Sequence, residues 1–238
     1  MPKYSIADLI VNMDCESDML LSRGRAYEVS GDTKVDINLV LEEKRIKYYL
    51  DKYPQMNKNE WEYMLYGSAF YNELTAHNGM LLHASAVVVD DRAYLFSAPC
   101  GTGKSTHTSL WLKLFGKKAY ILNDDKPAIR VIDGVPYVFG TPFSGKRDIS
   151  RNARVKLGGI CFISQAPENS ISVMDSQDVI VAVMEQTVRN LSLENMDKML
   201  SVLDEVLSTI KVYALKCNME LDAARLSYET MSGEKFNG

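Results

Sequence analysis

Hydrophobic and polar positions in the first third of the chain predict short strands followed by a helix. Val35 to Leu41 alternates as a half-buried strand does, and Tyr4 to Met13 and Arg25 to Val29 also have strand character. A helical pattern begins at Asn59. Its apolar positions recur at the spacing of one helix face and are Trp61, Met64, Leu65 and Ala69. We expect residues 1–79 to pack directly on a core formed by residues 80–238.

From residue 80 onward, apolar strand-like runs alternate with helical patterns. Met80 to Val89 predicts a strand that turns at Asp90-Asp91 into a second strand, Ala93 to Ser97. The other predicted strands are Ala119–Asp125, a hairpin over Lys126–Val138 around Asp133-Gly134, Val155–Ser164 and Val212–Leu215. The predicted helices are one with Leu110, Trp111, Leu114 and Phe115 on its apolar face, Gln177–Leu191, Leu193–Ile210 capped by Ser192, and a last one capped by Asn218 and reaching Tyr228. This order predicts an α/β fold with a mixed sheet flanked by helices.

The connection after Ser97 is rich in small residues and ends in Gly103-Lys104-Ser105, where a helical pattern starts. Strand, glycine-containing loop and helix in this order are typical of a P-loop, in which backbone N–H groups and the helix N-terminus face phosphate oxygens. There, Lys104 would reach the terminal phosphates and the Ser105 hydroxyl would ligate Mg²⁺. The first glycine of the usual motif is Ala98 here, which fits only if its φ is negative. The predicted nucleotide-binding residues are Ala98, Pro99, Cys100, Gly101, Thr102, Gly103, Lys104, Ser105 and Thr106.

Two further features place acid–base chemistry near this loop. The strand Ala119 to Asp125 ends in the pair Asp124-Asp125, one helix and one strand after the loop. A carboxylate in that position is suited to Mg²⁺, and a second one can accept a hydroxyl proton. His83 interrupts the apolar run Met80 to Val89, either as a core residue or as a partner of the acidic pair.

The segment Gly140 to Lys156 is rich in turn-forming residues and cations. It carries Lys146, Arg147, Arg151, Arg154 and Lys156. Cations stabilise the charge that develops on a transferred phosphoryl group, so Lys146 and Arg147 are candidate catalytic residues. A solvated basic loop is the alternative interpretation.

His83, the loop Ser97 to Ser105 and Asp124-Asp125, in this order and spacing, resemble the catalytic core of HPr kinase/phosphorylase. That family is related to ATP-dependent phosphoenolpyruvate carboxykinase. The resemblance implies a P-loop core of that type, ATP and Mg²⁺ as cofactors, and phosphoryl transfer to a serine-type hydroxyl. It makes Asp124 or Asp125 the base and His83 its supporting partner. We favour Asp124 as the base, since the resemblance pairs His83 with the first acid, and Asp125 with Ser105 as metal partners.

The resemblance covers residues 81–130 well and the remainder of the chain poorly. The chain lacks the glycine-rich signature near the C-terminal part of HPr kinases, so we expect an acceptor other than HPr. Peptides, proteins and small hydroxyl compounds all stay open as acceptors, and ATP rather than GTP follows from the resemblance. Related kinases assemble, which leaves a homo-oligomer open. A nucleotide-binding regulatory or scaffold module without turnover is the alternative, and the Ala98 departure is the best argument for it.

Composition narrows the class of protein. The 238 residues are 46% hydrophobic and carry a net charge of −4, which gives no reason to expect nucleic acid as a partner. The four cysteines form no Cys-x-x-Cys pair, so zinc and redox motifs have no support. The sequence shows neither a signal-peptide pattern nor an apolar run of membrane-spanning length, and we therefore expect a cytoplasmic protein without a membrane partner.

Overall fold

The computed structural model describes residues 2–188 and 191–236, and it is a mixed α/β structure with two sheets. The smaller sheet has the order β3-β1-β2-β4 and is formed by β1 (Lys3–Ile6), β2 (Leu9–Met13), β3 (Glu28–Val29) and β4 (Ile37–Leu39). The larger, curled sheet is formed by β5 (Gly79–Leu81), β6 (Ala84–Val89), β7 (Arg92–Ser97), β8 (Tyr120–Asn123), β9 (Ala128–Ile132), β10 (Val135–Phe139), β11 (Arg154–Gln165), β12 (Ser170–Val173) and β13 (Val212–Cys217).

Helices accompany both sheets. In the described part of the chain they are α1 (Asp18–Gly24), α2 (Glu43–Lys52), α3 (Lys58–Leu74), α4 (Lys104–Phe115), α5 (Ser176–Gln186), α6 (Leu193–Thr209) and α7 (Leu221–Ser232). The start of α3 is defined by a capping box, in which the Asn57 side chain accepts from the Glu60 N–H and the Glu60 side chain accepts from the Asn57 N–H. Ser192 caps α6 by accepting from the Asn195 N–H, as its position in the sequence predicts.

The order of the larger sheet is β5-β9-β10-β11-β7-β6-β8, with β13 beside the second half of β11. Strand β6 is antiparallel to both of its neighbours, β7 and β8, so β7 and β8 run in the same direction. The carboxyl ends of β7 and β8 and the amino end of β6 therefore lie on the same side of the sheet, where the strands end. Ligands of α/β sheets bind outside the carboxyl ends of strands.

Three hydrophobic clusters hold the layers together. One lies between the larger sheet and helices α5 and α6, and another lies between the opposite face and helices α4 and α7. The third joins the smaller sheet and α3 to Leu81, Ala128, Phe139 and Phe143 of the larger sheet region. The proposed domain boundary at residue 79 falls within β5, which pairs with β9.

The segment Met80 to Val89 is not one strand, as the sequence pattern predicts, but two. Strand β5 pairs with β9, whereas β6 pairs with β7 and β8. Between them, the His83 N–H donates to the Gln186 carbonyl and the Ala84 N–H donates to the Asp125 carbonyl. The break lies at His83, the residue that interrupts the apolar run. The apolar pattern alone does not show that the two halves have different pairing partners, because both halves are buried.

Other element boundaries also differ from the sequence-based predictions. Tyr4 to Met13 forms a hairpin through Ala7-Asp8, both with positive φ, and Arg25 begins a 3₁₀ turn before β3. Helices α1 and α2 are absent from the predictions, since α1 has only seven residues and α2 is mostly exposed. The helix predicted over Gln177–Leu191 ends at Gln186, and residues 189 and 190 of that prediction lie outside the described part of the chain. The last helix begins at Leu221, and Asn218 instead accepts from the Glu220 N–H in the preceding turn.

The hairpin around Asp133-Gly134, the long strand β11 and helix α6 agree with their predictions. In the part of the chain that is described, no helix combines the length and apolar character needed to cross a bilayer.

Candidate functional site

The loop between β7 and α4 has the backbone that its sequence requires. Gly101 and Gly103 have φ of 83° and 120°, a region that favours glycine, and open space surrounds both Cα atoms. Ala98 does not belong to the described non-glycine residues with positive φ. The alanine in place of the usual first glycine therefore introduces no backbone strain.

Lys104 begins α4 and folds back over the loop. Its side chain is buried, and its Nζ donates to the carbonyl oxygens of Ala98 at 2.8 Å and Pro99 at 3.5 Å. Burial lowers the pKa of Lys104, and the nearby Asp125 carboxylate opposes that shift. The lysine thus stands at the loop with neutral carbonyl partners that an anion could replace.

The turn after β8 is built by Asn123, a residue that the sequence analysis did not single out. Its Oδ1 accepts from the N–H groups of Asp125 and Lys126, at 2.9 and 2.8 Å. Its Nδ2 donates to the Thr141 carbonyl at 3.0 Å. The buried Asn123 side chain therefore fixes the direction in which the two acids point.

Asp124 is buried and faces α4. Its Oδ1 accepts a 2.6 Å hydrogen bond from Ser85 Oγ, and Ser85 Oγ lies 2.9 Å from Thr108 Oγ1 in α4. Its Oδ2 lies 3.5 Å from Arg147 Nη1. The first acid is thus next to the helix that carries Lys104 and Ser105.

Asp125 faces His83, so the expected pairing of His83 with Asp124 is wrong. His83 Nε2 lies 3.1 Å from Asp125 Oδ1, and His83 Nδ1 lies 3.1 Å from Gln186 Oε1. The reason is the break between β5 and β6, which turns His83 toward the end of α5. Lys126 Nζ also contacts the Asp125 carboxylate. Burial acts to raise the pKa of Asp125, but His83 and Lys126 outweigh it and lower the pKa from 3.8 to about 2.

The basic segment Gly140 to Lys156 divides its cations between two places. Lys146 and Arg147 reach the acids and the loop. Arg151 lies over the Tyr120 ring instead, and Arg154 pairs with Asp8. Lys146 and Arg147 are therefore at the site, whereas Arg151 and Arg154 are engaged elsewhere.

Gly145 explains how the basic segment approaches the acids. Its φ is 70°, and a Cβ built on it would lie 2.6 Å from the Asp125 Cβ. Its N–H donates to Tyr63 Oη at 3.0 Å. Only a glycine allows the segment to pass this close to Asp125 while bonding to α3.

Residues of the loop, both acids, His83 and Gly145 line one cavity of about 760 Å³, which we call the loop cavity. The predicted residues in its lining are His83, Cys100, Gly101, Gly103, Lys104, Ser105, Thr106, Asp124, Asp125, Lys146 and Arg147. It also contains Arg23, Tyr63 and Lys126, which no motif indicated. Arg23 lies over the Tyr63 ring and pairs with Asp148, so long-range packing places both residues here.

A second cavity of about 630 Å³, the side cavity, lies on the other side of the loop. Gly101, Gly103 and Thr106 line both cavities. The side cavity also contains polar groups from the ends of β11 and β13, among them Gln165 and Asn218. Gln165 Nε2 donates to the Thr102 carbonyl at 3.0 Å, which ties the loop to this wall.

No model of a known protein family matches the chain, and no curated protein matches it. Among solved structures, it is similar to the Hpr(Ser) kinase/phosphatase from Coxiella burnetii, with a TM-score of 0.36 and 12% sequence identity. That match covers 63% of this chain and 92% of the other. The similarity is distant.

Proposed function

We propose that this protein is a Mg-ATP-dependent phosphotransferase that transfers the γ-phosphoryl group to a hydroxyl. The observation that carries the proposal is the loop cavity, in which Lys104, Ser105, both acids and Arg147 converge. Phosphoryl transfer needs a phosphate-binding loop, cations for the developing charge and a carboxylate for the acceptor proton. All three kinds of group line this one cavity.

The residues fit ATP. The open space at Gly101 and Gly103 allows phosphates to approach the backbone, and Lys104 can exchange its carbonyl partners for phosphate oxygens. The side cavity takes the nucleoside, because it shares the loop's residues and offers the side-chain oxygen of Gln165. The loop itself then lies between nucleoside and acceptor.

The residues also fit Mg²⁺. No cluster of three or more His, Cys, Asp or Glu side chains suited to a metal exists in residues 2–188 and 191–236. Mg²⁺ in phosphotransferases is commonly held by one or two protein oxygens together with substrate phosphates. We assign the Ser105 hydroxyl and Asp124 to this ion, since Asp124 faces α4. When bound, the ion would neutralise charge on the phosphates.

Asp125 is the group that we assign to the acceptor. It faces away from α4 and is oriented by His83, which Gln186 positions in turn. The acceptor oxygen forms a bond to the γ-phosphorus, the bond from that phosphorus to the bridging oxygen breaks, and ADP leaves. The acceptor proton passes to Asp125, and Lys146 and Arg147 stabilise the transferred group. This assignment replaces the expected order of the two acids, because the pairing with His83 on which that order depended is with Asp125.

A second candidate function, a nucleotide-binding module without turnover, is favoured by one observation. Lys126 contacts Asp125 and helps to lower its pKa to about 2, which weakens it as a base near neutral pH. A module without turnover would bind Mg-ATP and transfer no phosphoryl group to an acceptor.

Calorimetry with Mg-ATP and an ATPase assay test the proposal. Lys104→Ala should weaken ATP affinity at least tenfold or lower turnover by about 10²–10³-fold, since it removes the cation at the terminal phosphates. Lys113→Ala is the matched control, because Lys113 is exposed on the same helix and lies outside both cavities. No ATP binding by the unmodified protein, or unchanged affinity and turnover in Lys104→Ala, would refute the proposal. ATP binding without any turnover would favour the second candidate.

A further inference from the structure

A third cavity, of about 850 Å³, adjoins the loop cavity. We call it the aromatic cavity, since the rings of Tyr63, Tyr71 and Phe143 form one wall. Leu81 and Val188 add apolar surface. The residues that line both this cavity and the loop cavity are Tyr63, Met64, His83, Cys100 and Lys126. The two cavities are therefore continuous at the acids' side of the site.

The aromatic wall presents rings rather than hydroxyl groups. Tyr71 Oη donates to the Lys126 carbonyl and lies 3.1 Å from Thr141 Oγ1. Tyr63 Oη accepts from the Gly145 N–H. The Tyr63 and Tyr71 rings each lie 5.8 Å from the Phe143 ring, centroid to centroid. Both hydroxyls are thus engaged elsewhere, and the Tyr71 and Phe143 rings are almost fully buried within the wall. The apolar surface that a ligand meets therefore comes mainly from Met64 and Val188, with smaller parts from Tyr63 and Leu81.

Polar groups stand at the junction of the two cavities. His83 bridges Gln186 and Asp125 there, with 3.1 Å on each side. A ligand whose apolar part lies against Met64, Val188 and the exposed edge of Tyr63 would therefore bring an adjoining polar group to Asp125. Binding cavities of several hundred Å³, mostly apolar with a few placed polar groups, hold ligands in this manner.

Charge in the lining argues against a compact anionic ligand. Lys126 is the cationic Lys or Arg residue of the aromatic cavity, and its ammonium is bonded to Asp125. Glu185, also in the lining, is an exposed acid. An anionic group in the cavity would therefore lose its hydration without gaining a free cation.

We propose that the aromatic cavity binds the apolar part of the phosphoryl acceptor, so that the acceptor is a hydroxyl next to an aromatic or branched aliphatic group. A serine or threonine beside such a residue in a peptide has this chemistry, and so does a small aryl alcohol. The inference rests on the proposed function, since it assigns the hydroxyl to Asp125. The acceptor oxygen bonds to the γ-phosphorus of ATP, the bond to the bridging oxygen breaks, and the proton goes to Asp125.

The test measures phosphoryl transfer from radiolabelled ATP to acetylated peptides Gly-Xaa-Ser-Gly, with Phe, Leu, Gly, Asp or Lys as Xaa, and to 3-phenylpropan-1-ol. Peptides with Phe or Leu should have a kcat/KM roughly ten- to a hundredfold above those with Gly, Asp or Lys, because only they bury apolar surface in the cavity. Faster transfer to the aryl alcohol than to any peptide would identify a small alcohol as the source of the hydroxyl, and the reverse would identify a peptide.

A blocking variant gives an independent measurement. Ser68 lines the aromatic cavity but not the loop cavity, so Ser68→Trp should lower transfer to the preferred acceptor about tenfold or more while Mg-ATP affinity stays within twofold. Glu73→Trp, exposed on the same helix and outside both cavities, should change neither value. Thermal unfolding checks that the variants fold, and Ser68→Leu should give a smaller effect in the same direction.

The outcomes separate the two proposals. Mg-ATP binding with equal transfer to all peptides, with transfer to none of the acceptors, or with full transfer by a folded Ser68→Trp overturns the acceptor inference and leaves ATP binding in place. Absence of Mg-ATP binding by the unmodified protein instead overturns the proposed function, and the acceptor inference with it.

Discussion

The two walls of the loop cavity are built from different kinds of sequence. One wall is the contiguous segment from Cys100 to Thr106, which follows a buried strand and begins a helix. The opposite wall combines Tyr63, Lys126 and Arg147, which come from α3, the turn after β8 and the basic segment. The first wall follows from local backbone preferences, whereas the second exists only when three distant segments pack together.

The cations of the two walls differ in the same way. Lys104 bonds to carbonyl oxygens of its own loop, so it is ready to exchange them for an anionic ligand. Lys126 is bonded to Asp125 and lies 5.9 Å from the centroid of the Tyr63 ring. The loop wall therefore holds a lysine with neutral partners, while the opposite wall controls the charge and orientation of the acid that we assign to the acceptor.

The largest expected effect is a loss of phosphoryl transfer that distinguishes the roles of Asp124 and Asp125. Asp125→Asn keeps the shape of the side chain and removes the base, so transfer to an acceptor should fall by about 10²–10⁴-fold with ATP affinity nearly unchanged. Asp124→Asn is the matched variant and should instead raise the Mg²⁺ concentration needed for half-maximal activity. Steady-state kinetics over a Mg²⁺ series measures both. Wild-type transfer by Asp125→Asn, together with a loss of about 10²–10⁴-fold in Asp124→Asn, would restore the opposite assignment.

The next effect tests whether loosening the packing behind the opposite wall changes acceptor binding as well as stability. Phe143 is fully buried against Tyr63, Phe70 and Tyr71, so Phe143→Ala should lower the free energy of unfolding by about 3–5 kcal/mol. It should also loosen the aromatic cavity and raise KM for the acceptor. Denaturant unfolding and acceptor kinetics measure the two effects.

Phe139→Ala is the control for this variant. Phe139 is buried in the same hydrophobic cluster but lines neither the loop cavity nor the aromatic cavity. A similar loss of stability without the change in KM is expected. Equal changes in KM for both alanine variants would show that the opposite wall responds to stability alone.

The smallest expected effect is a change of the free energy of unfolding with pH, caused by His107 in the helix that follows the loop. His107 in α4 is buried, its Nε2 lies 3.0 Å from Ser227 Oγ, and burial lowers its pKa from 6.5 to about 4. Between these values the unfolded chain binds more protons than the folded one, so stability should fall as pH decreases from 6.5 to about 4. The loss should be up to about 3 kcal/mol.

Unfolding measured over this pH range in the unmodified protein and in His107→Gln tests the prediction. The variant should lack most of the slope between pH 6.5 and about 4, and the two proteins are compared from their own values at about pH 7.5. The carboxyl of Asp125 acts in a lower window, between 3.8 and about 2, and does not obscure the result. An identical slope in His107→Gln would assign the pH dependence to other groups.

The sequence by itself determined the elements that depend on neighbours in the chain. The loop between Ser97 and Lys104, the turn at Asp133-Gly134 and the stripe of α6 follow from glycine backbone freedom and helical spacing, which act over a few residues. For the same reason, Lys104, Ser105 and the acidic pair could be selected as candidates before their positions were known.

Only the tertiary structure decided how those candidates face one another. The break between β5 and β6 turns His83 toward Asp125 rather than Asp124. His83 marks the position of this break in the apolar run, but the sequence does not show which acid the histidine faces. Tyr63 enters the site because its Oη accepts from the Gly145 N–H and so joins α3 to the basic segment, a contact between residues 82 positions apart. Hydrogen bonds and packing between distant segments carry no local pattern, so the opposite wall and its aromatic cavity became visible only in the folded chain.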